Sequence, residues 1–395
     1  MHAPNQVSGD FLEVRSSTGW VPLSFIERPE AIYLLATGND ARWSTFILRN
    51  GVAEIRKGDA HGIFRAVLET DKASREAAIE GFRTKYGKTN FERWFPAPGR
   101  LIRVNSRRES PASTGDNYYK WLESEFDSVS WDYDRHITGN SINMLLRERS
   151  LWLMRQTFRK KSRLLEIGCG SGMETIPMLR DGHEITAVDI SSSMLEIVKQ
   201  KAKSEGLGEK LSTVKLRASE LRSLSDGNCT GLFDGCYSTY GALNCEQSLD
   251  GIPEAIHSLL NDEGMLVAGV FNKYCMSEGL AYSLSFRPAR ALRRLRNPIM
   301  EGNSRFCVDV FSYSVPGFSR IFSPYFRTER VIGVPVILPP SDMDGYMTRL
   351  SRRFDLLKMV DFKFSTRWPF HSLGDHFLLS MRRESVPLEC NSRPG

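Results

Sequence analysis

The chain has 395 residues and a formal net charge of +6, with 41% hydrophobic and 25% charged residues. These values are ordinary for a globular protein, and the length predicts two domains. No apolar run approaches the roughly 18 residues of a membrane-spanning helix, and residues 1–17 lack the pattern of a secretory signal. The seven cysteines form no C-x-x-C pair. We therefore expect a reducing, cytoplasmic location, without a disulfide framework or a metal site.

The first part of the chain contains short apolar runs that are separated by turn-forming residues. Asn50-Gly51 lies between two such runs and predicts a hairpin, and Ser74 is placed to begin a helix. A polar stretch, NSRRESPASTG, follows and is typical of a linker over 106–116. We therefore predict a small, mostly antiparallel barrel domain over 1–105, with one helix at 74–86 and strands at 31–37, 43–48, 52–57, 63–69 and 101–104.

Two short motifs in this domain suggest a family. Arg83-Thr84-Lys85-Tyr86-Gly87 and Arg42-Trp43 resemble elements of the split β-barrel proteins related to flavin and deazaflavin reductases. The resemblance implies that the barrel binds a flavin or deazaflavin phosphate. The interpretation that we favour is a barrel used for docking or for formation of a homodimer.

From residue 117 to 385 the pattern changes to alternating strands and helices. Apolar runs that are separated by segments of helical length predict parallel pairing, and thus a doubly wound, mostly parallel Rossmann-like sheet of seven strands. In such sheets ligands bind beyond the carboxyl ends of the strands. The strands are predicted near 164–167, 184–189, 213–217, 233–238 and 265–271, and the stretches 327–338 and 374–382 are predicted to complete the sheet as its antiparallel edge.

The first of these strands runs directly into a glycine-rich loop. Gly168, Gly170 and Gly172 alternate after the strand, and Asp189 ends the next strand, 21 positions after Gly168. Glycines allow a sharp turn and leave main-chain N–H groups open to a ligand. An acid at the end of the second strand is placed to accept both hydroxyls of a ribose. The combination predicts a site for a nucleoside.

The details of the loop favour one nucleoside over another. Met173 stands where a dinucleotide fingerprint has its third glycine, and Glu166 lies two residues before the first. A carboxylate there would repel a pyrophosphate but attract a sulfonium with its ammonium. S-adenosylmethionine is therefore the predicted cofactor, and an NAD-dependent oxidoreductase is the less favoured alternative.

The same series of motifs resembles the class I S-adenosylmethionine-dependent methyltransferases over residues 115–385. The resemblance implies that the three glycines hold the methionine part, with Glu166 near its ammonium, and that Asp189 holds the ribose. Arg217 replaces the acid that usually contacts adenine, which leaves Ser219 or Glu220 as substitutes. The other cofactor contacts that it implies are Tyr133, Cys169, Ile190, Met194 and Ser238.

Methyl transfer needs an in-line nucleophile and the exclusion of water more than it needs acid–base groups. A general base helps if the acceptor is a hydroxyl or a carbon acid. The candidates are His376, which Asp375 could orient, and His136, with Tyr240 as a polar residue of the crevice. A protein with flavin-dependent redox activity in its barrel is the alternative function.

An insertion over 272–309 follows the fifth strand and is predicted to cover the crevice as a lid. Its aromatic and apolar residues favour a small hydrophobic or aromatic acceptor, and no nucleic acid partner is expected. Arg287 to Arg296 contains five arginines interleaved with leucines. A solvated helix face is the first interpretation of this cluster, and a peripheral membrane contact is the alternative. Residues 386–395 are predicted to be a flexible tail.

Overall fold

The computed structural model describes most of the chain. The described residues are 11–28, 31–38, 41–57, 60–105, 115–127, 130, 133–226, 233–284, 291–295, 298–300, 308–340 and 354–385. The predicted tail and nearly all of the predicted linker lie outside these ranges. The described residues divide into two compact units, the first within 11–105 and the second within 115–385.

The first unit is a closed six-stranded barrel with the strand order β1-β2-β3-β6-β5-β4. All of its pairings are antiparallel. Apolar side chains from every strand fill the interior, and Val14, Phe25 and Leu34 are fully buried there. The strands are β1 Phe11–Ser16, β2 Gly19–Arg28, β3 Ala31–Thr37, β4 Val52–Lys57, β5 Ala60–Leu68 and β6 Pro98–Asn105, and the helices are α1 Arg42–Asn50, α2 Lys72–Tyr86 and α3 Lys88–Trp94.

The strand predicted at 43–48 is wrong, because these residues belong to helix α1. Buried and half-buried positions recur there at helical spacing, with Ser44 and Ile47 fully buried. The predicted hairpin at Asn50-Gly51 is instead the end of this helix. Gly51 has a left-handed φ of 67°, and its N–H donates to the carbonyl of Ile47 at 2.7 Å. A left-handed glycine serves a helix end as readily as a hairpin, so the dipeptide alone did not distinguish them.

Two of the residues that suggested a flavin-binding family, Lys85 and Tyr86, have structural roles in the barrel. The Tyr86 hydroxyl accepts from the N–H of Phe25 at 3.0 Å and donates to its carbonyl at 2.9 Å. Lys85 Nζ donates to the same carbonyl at 2.9 Å. The two side chains therefore hold β2 against helix α2. Strands β1 and β2 were not predicted from the sequence.

The second unit contains a seven-stranded sheet with the order β14-β15-β11-β10-β7-β8-β9. The five strands from β11 to β9 are parallel, and β15 and β14 form an antiparallel edge, as predicted. The strands are β7 Arg163–Ile167, β8 Glu184–Asp189, β9 Leu211–Lys215, β10 Phe233–Ser238, β11 Leu260–Phe271, β14 Phe326–Val334 and β15 His376–Arg383. Two short strands, β12 Ile299–Met300 and β13 Asp309–Val310, pair separately.

Helices cover both faces of the sheet, where two apolar clusters of buried side chains form the core. Apart from several 3-10 turns, the described helices are α4 Asp116–Asp127, α5 Tyr133–Thr138, α6 Ser141–Thr157, α7 Thr175–Arg180, α8 Ser192–Ser204, α9 Ser223–Asp226, α10 Ile252–Leu259, α11 Met276–Leu284, α12 Val315–Phe322 and α13 Phe354–Ser365. The chain adds strands outward from β7 through β8 to β9, and then returns to add β10 and β11 on the other side of β7. A ligand crevice is expected where the order reverses, between β7 and β10.

Candidate cofactor and acceptor site

The glycine loop lies at the carboxyl end of β7, next to the loop that follows β10. All three of its alternate glycines have a left-handed φ: 72° at Gly168, 52° at Gly170 and 83° at Gly172. A Cβ at Gly168 would lie 2.3 Å from the Cβ of Ala242, and one at Gly172 would lie 2.3 Å from Cγ2 of Val198. A Cβ at Gly170 would meet only Tyr133, at 3.9 Å. The outer two glycines are therefore required by packing, while a Cβ at Gly170 would make only an ordinary van der Waals contact.

Asp189 connects the end of β8 to the glycine loop. Its Oδ2 accepts from the N–H of Gly170 at 2.8 Å, and its Oδ1 accepts from the N–H of Ser191 at 2.9 Å. The side chain is 8% exposed, and burial raises the pKa of this carboxyl to about 6. Each carboxylate oxygen has more than one acceptor position, so both can still receive a hydroxyl from a ligand.

Glu166 lies beneath the loop, in the core of the sheet. Its Oε2 accepts from the Thr175 hydroxyl at 2.6 Å and from the Tyr237 hydroxyl at 3.0 Å. The side chain is 2% exposed, and burial raises the pKa of the carboxyl to about 8. In this conformation the group is mainly protonated near pH 7. Its contact with a cofactor ammonium remains a prediction.

A buried ion pair that the sequence analysis did not assign to the site lies beside the loop. Arg147, on α6, donates to Glu174, and both side chains are 5% exposed or less. Arg147 Nε and Glu174 Oε1 have no hydrogen-bond partner within the described part of the chain, and neither does Oδ1 of the nearby α6 residue Asn143. Buried polar atoms without partners are uncommon in proteins and often mark a place where a ligand or water binds.

Two tyrosines connect this ion pair with the crevice. The guanidinium of Arg147 lies 4.2 Å from the ring centroid of Tyr240. Tyr133, on α5, is 9% exposed, and burial raises its pKa to about 12 despite the charge of Arg147. Tyr240 has a φ of 57°, a conformation that is costly for a residue with a side chain and that occurs often at functional sites.

His376 begins β15 at the same edge of the sheet. It pairs with Phe271 at the end of β11, and its ring is stacked on Tyr240 with centroids 6.1 Å apart. Its Nδ1 lies 3.2 Å from Oδ2 of Asp375. An Nδ1–H donated to a carboxylate leaves Nε2 as the nitrogen that accepts a proton. The structure therefore brings His376 and Tyr240 together in the crevice.

The remaining predicted residues have the following positions. The Met194 side chain is buried, and its N–H donates to the Ser191 hydroxyl at 3.1 Å at the beginning of α8. Cys169 is buried, and burial raises the pKa of its thiol. Ile190 is half-buried beside Asp189. Ser238 is fully buried, and its hydroxyl has no partner in the described residues. His136 lies on α5, but its side chain is outside the described part.

At the third strand the structure provides an acid that was not predicted. Ser219 and Glu220 are both exposed, and Glu220 is paired with Arg217. Glu246 instead reaches this strand end, where its Oε1 accepts from the N–H of Ala218 at 3.2 Å. Glu246 follows β10, and only its position in the fold, not a local pattern, identifies it.

The arginine cluster of the insertion is not simply a solvated helix face. Arg293 and Arg294 are 18% and 4% exposed, and both donate to the buried Glu278. The other three arginines, at positions 287, 290 and 296, lie outside the described residues. Leu284 and Leu292 are exposed, and a membrane contact here remains a prediction.

The comparisons with known proteins agree with this architecture. Residues 164–264 match a methyltransferase domain family. The match begins at β7, ends within β11, and includes the glycine loop and Asp189. This segment is therefore similar to a methyltransferase domain, and its strands belong to a Rossmann-like sheet. The match begins after the barrel, and the flavin or deazaflavin prediction has no support.

Curated relatives and solved structures resemble the methyltransferase domain at low identity. The chain is 26% identical over 106 residues to the tRNA 5-carboxymethoxyuridine methyltransferase of Escherichia coli, covering 26% of this chain and 40% of that protein. It is 32% identical over 84 residues to the mitochondrial ubiquinone biosynthesis O-methyltransferase of Schizosaccharomyces pombe, covering 20% and 30%. The chain thus spans less than half the length of these relatives.

Two solved structures give TM-scores below 0.5. The CcbJ methyltransferase from Streptomyces caelestis has a TM-score of 0.44 at 13% identity, covering 67% of this chain and 99% of that one. The 1,6-didemethyltoxoflavin-N1-methyltransferase from Burkholderia thailandensis, solved with S-adenosylhomocysteine, has a TM-score of 0.43 at 18% identity, covering 71% and 95%.

None of the helices in the described ranges is long and apolar enough to cross a membrane.

Proposed function

We propose that the chain is an S-adenosylmethionine-dependent methyltransferase that acts on a small hydrophobic or aromatic acceptor. The observation that carries the proposal is the convergence, where the strand order reverses, of a glycine loop, a buried carboxylate and a histidine that contacts an aspartate. The match to a methyltransferase domain family over 164–264 supports the methyltransferase part of the proposal.

The residues present fit the proposed cofactor. The nearest atoms to the Cβ position of Gly170, those of the Tyr133 ring, lie 3.9 Å away, and Asp189 retains acceptor capacity for two ribose hydroxyls. The unpartnered atoms Arg147 Nε and Glu174 Oε1 offer a donor and an acceptor. An amino acid end, with its carboxylate and ammonium, needs one of each. These side chains would hold the two ends of the cofactor.

When bound, the cofactor would supply an electrophilic methyl group to the crevice. The role of His376 is to take a proton at Nε2 from an acceptor hydroxyl or similar group, with Asp375 balancing the charge that the ring gains. Tyr240 and Phe271 flank the histidine ring and exclude water from it. These rings also support the choice of an apolar or aromatic acceptor.

Calorimetric titration with S-adenosylhomocysteine tests the cofactor assignment. We expect wild-type protein to bind it, and Asp189→Ala to weaken binding at least about tenfold, since the loss of one charge-assisted hydrogen bond costs about 1.5–3 kcal/mol. Asp181→Asn is the matched control. Asp181 lies just before β8, at the end of the strands opposite the glycine loop, and pairs with Arg155. Wild-type protein that takes up no ligand would disprove the proposal.

Transfer itself is tested by incubating the protein with methyl-labelled S-adenosylmethionine and an extract of its host. Label in a small apolar product supports the acceptor class, while label in RNA or in protein contradicts it. His376→Gln should keep S-adenosylhomocysteine affinity and lose most of the transfer, because a general base contributes about 10²–10⁴-fold in rate.

A further inference from the structure

The insertion after β11 places one arginine side chain at the back of the acceptor crevice. Arg294 is 4% exposed and makes a full set of contacts. Its Nη1 donates to the carbonyls of Asn272 and Asp375 at 3.0 and 2.9 Å, and its Nε donates to Glu278 at 2.8 Å. Its Nη2 donates to carboxylate oxygens of both Glu278 and Asp375. The guanidinium also lies 4.1 Å from the ring centroid of Phe271.

The two carboxylates that Arg294 contacts, Glu278 and Asp375, differ in their other cation partners. Glu278 also receives two hydrogen bonds from Arg293, at 2.6 and 3.0 Å, so it has a cation of its own. Asp375 is 1% exposed and has Arg294 as its arginine partner. Glu278, Asp375 and Cys275 lie close enough to hold a metal ion. Because the guanidinium of Arg294 already bonds to both carboxylates, the pattern favours a fixed cation of the protein itself.

Asp375 divides its carboxylate between this arginine and the proposed base. Oδ1 accepts from Arg294, and Oδ2 faces Nδ1 of His376 at 3.2 Å. Burial by itself would raise the pKa of Asp375, but the charges of Arg294 and His376 hold that pKa below its ordinary value. The carboxylate thus stays ionised although it is buried.

We propose that Arg294 is a positioning residue that completes the base: it holds Asp375 ionised and oriented, and Asp375 in turn orients His376. The inference rests on the proposed methyltransferase function. In the reaction an acceptor X–H gives its proton to His376 Nε2, the X lone pair forms the bond to the methyl carbon, and the S–C bond breaks with its electron pair left on sulfur. The proton on His376 leaves to water after product release.

The charges near His376 determine the sign of the test. The titratable or charged groups around it are Asp375, Arg294, Glu278, Cys275, Tyr240 and Arg147. Burial raises the pKa of Cys275 to about 11 and also raises that of Tyr240, so both are neutral near pH 7. Arg147 is matched by Glu174. Protonation of the base therefore depends on the charge of Asp375, which in turn depends on Arg294.

The experiment measures the pH dependence of methyl transfer from labelled S-adenosylmethionine to the acceptor in host extract, with enzyme limiting. In Arg294→Met the buried Asp375 loses the charge that keeps it ionised, so the acidic limb should move down by about one pH unit. The rate at pH 7 should fall about 10–100-fold. Asp375→Asn, which removes the same negative charge, should move the limb in the same direction. Arg294→Lys should keep the acidic limb of the wild type. Arg293 donates to Glu278 and not to Asp375, so Arg293→Met should change neither the rate nor the acidic limb.

S-adenosylhomocysteine affinity, measured by calorimetry, separates the possible failures. It should be unchanged in Arg294→Met, because Arg294 makes no contact with the glycine loop. If wild-type protein does not bind this ligand, the proposed function fails. If binding and transfer are intact but the acidic limb is the same in wild type, Arg294→Met and Asp375→Asn, the positioning role is wrong. If Arg294→Met does not fold, the acidic limbs of Arg294→Lys and Asp375→Asn are compared instead. Equal acidic limbs in these two variants would overturn the proposal.

Discussion

Replacement of Gly172 by alanine tests the packing that shapes the glycine loop. Gly172 has a φ of 83°, and its added Cβ would lie 2.3 Å from Cγ2 and 3.0 Å from Cβ of the fully buried Val198 on α8. The left-handed backbone should cost about 1–2 kcal/mol and the crowding about 1–3 kcal/mol. We therefore expect Gly172→Ala to lower the free energy of unfolding by about 2–5 kcal/mol.

A double-mutant cycle separates these two costs. Val198→Ala alone removes two buried methyl groups and should cost about 1–3 kcal/mol. In the double variant the close contact with Cγ2 disappears, while the contact with the Cβ of residue 198 at 3.0 Å and the backbone strain remain. The combined loss should thus be smaller than the sum of the single losses by about 1–3 kcal/mol.

Gly170→Ala provides the matched control. Gly170 is also left-handed, with a φ of 52°, but its added Cβ would only touch Tyr133 at 3.9 Å. It should cost the backbone strain of about 1–2 kcal/mol and should be additive with Val198→Ala. The assay is urea denaturation of the full chain, in which the transition that responds to Val198→Ala reports the methyltransferase domain. Additive losses for Gly172→Ala and Val198→Ala, within about 0.5 kcal/mol, would refute the packing argument.

Three further predictions concern single side chains. Glu166→Gln keeps an acceptor for both hydroxyls. Because protonation of Glu166 stabilises the wild-type fold up to a pKa of about 8, the stability advantage of Glu166→Gln over wild type should grow between about pH 5 and 8, by at most about 1.4 kcal/mol per pH unit. A difference that stays constant with pH in urea denaturation would contradict this. Asp361 Oδ1 accepts from three consecutive main-chain N–H groups, of residues 336 to 338, so Asp361→Ala should cost about 2–5 kcal/mol and Asp361→Asn less than about 1 kcal/mol by the same assay. Tyr86→Phe removes both hydrogen bonds to Phe25 and should lower the stability of the barrel by about 1–3 kcal/mol in calorimetric unfolding. An unchanged unfolding transition would show that these bonds do not hold β2.

The sequence predicted the elements in which local signals agree. The strands at 164–167 and 184–189, the glycine loop between them and the antiparallel edge of the sheet are present, because apolar runs, glycines and helix starts all indicated the same structure there. The segment at 43–48 failed for the opposite reason. A short apolar run beside a glycine is compatible with either a strand or a helix, and burial of Ile47 in the barrel core selected the helix.

The amino-acid sequence by itself determined the fold class of the second domain and the position of the proposed nucleoside site, since three glycines and one acid at fixed spacing define the turn locally. The tertiary structure alone decided which charges surround that site. Arg147 meets Glu174, Glu246 reaches the third strand, and Arg294 meets Asp375 across 81 residues of sequence. No local pattern specifies these contacts, because the partners come from separate elements and become neighbours only when the sheet assembles. Their buried charges are stable only as matched sets, which is why the chemistry of the crevice depends on the assembled fold.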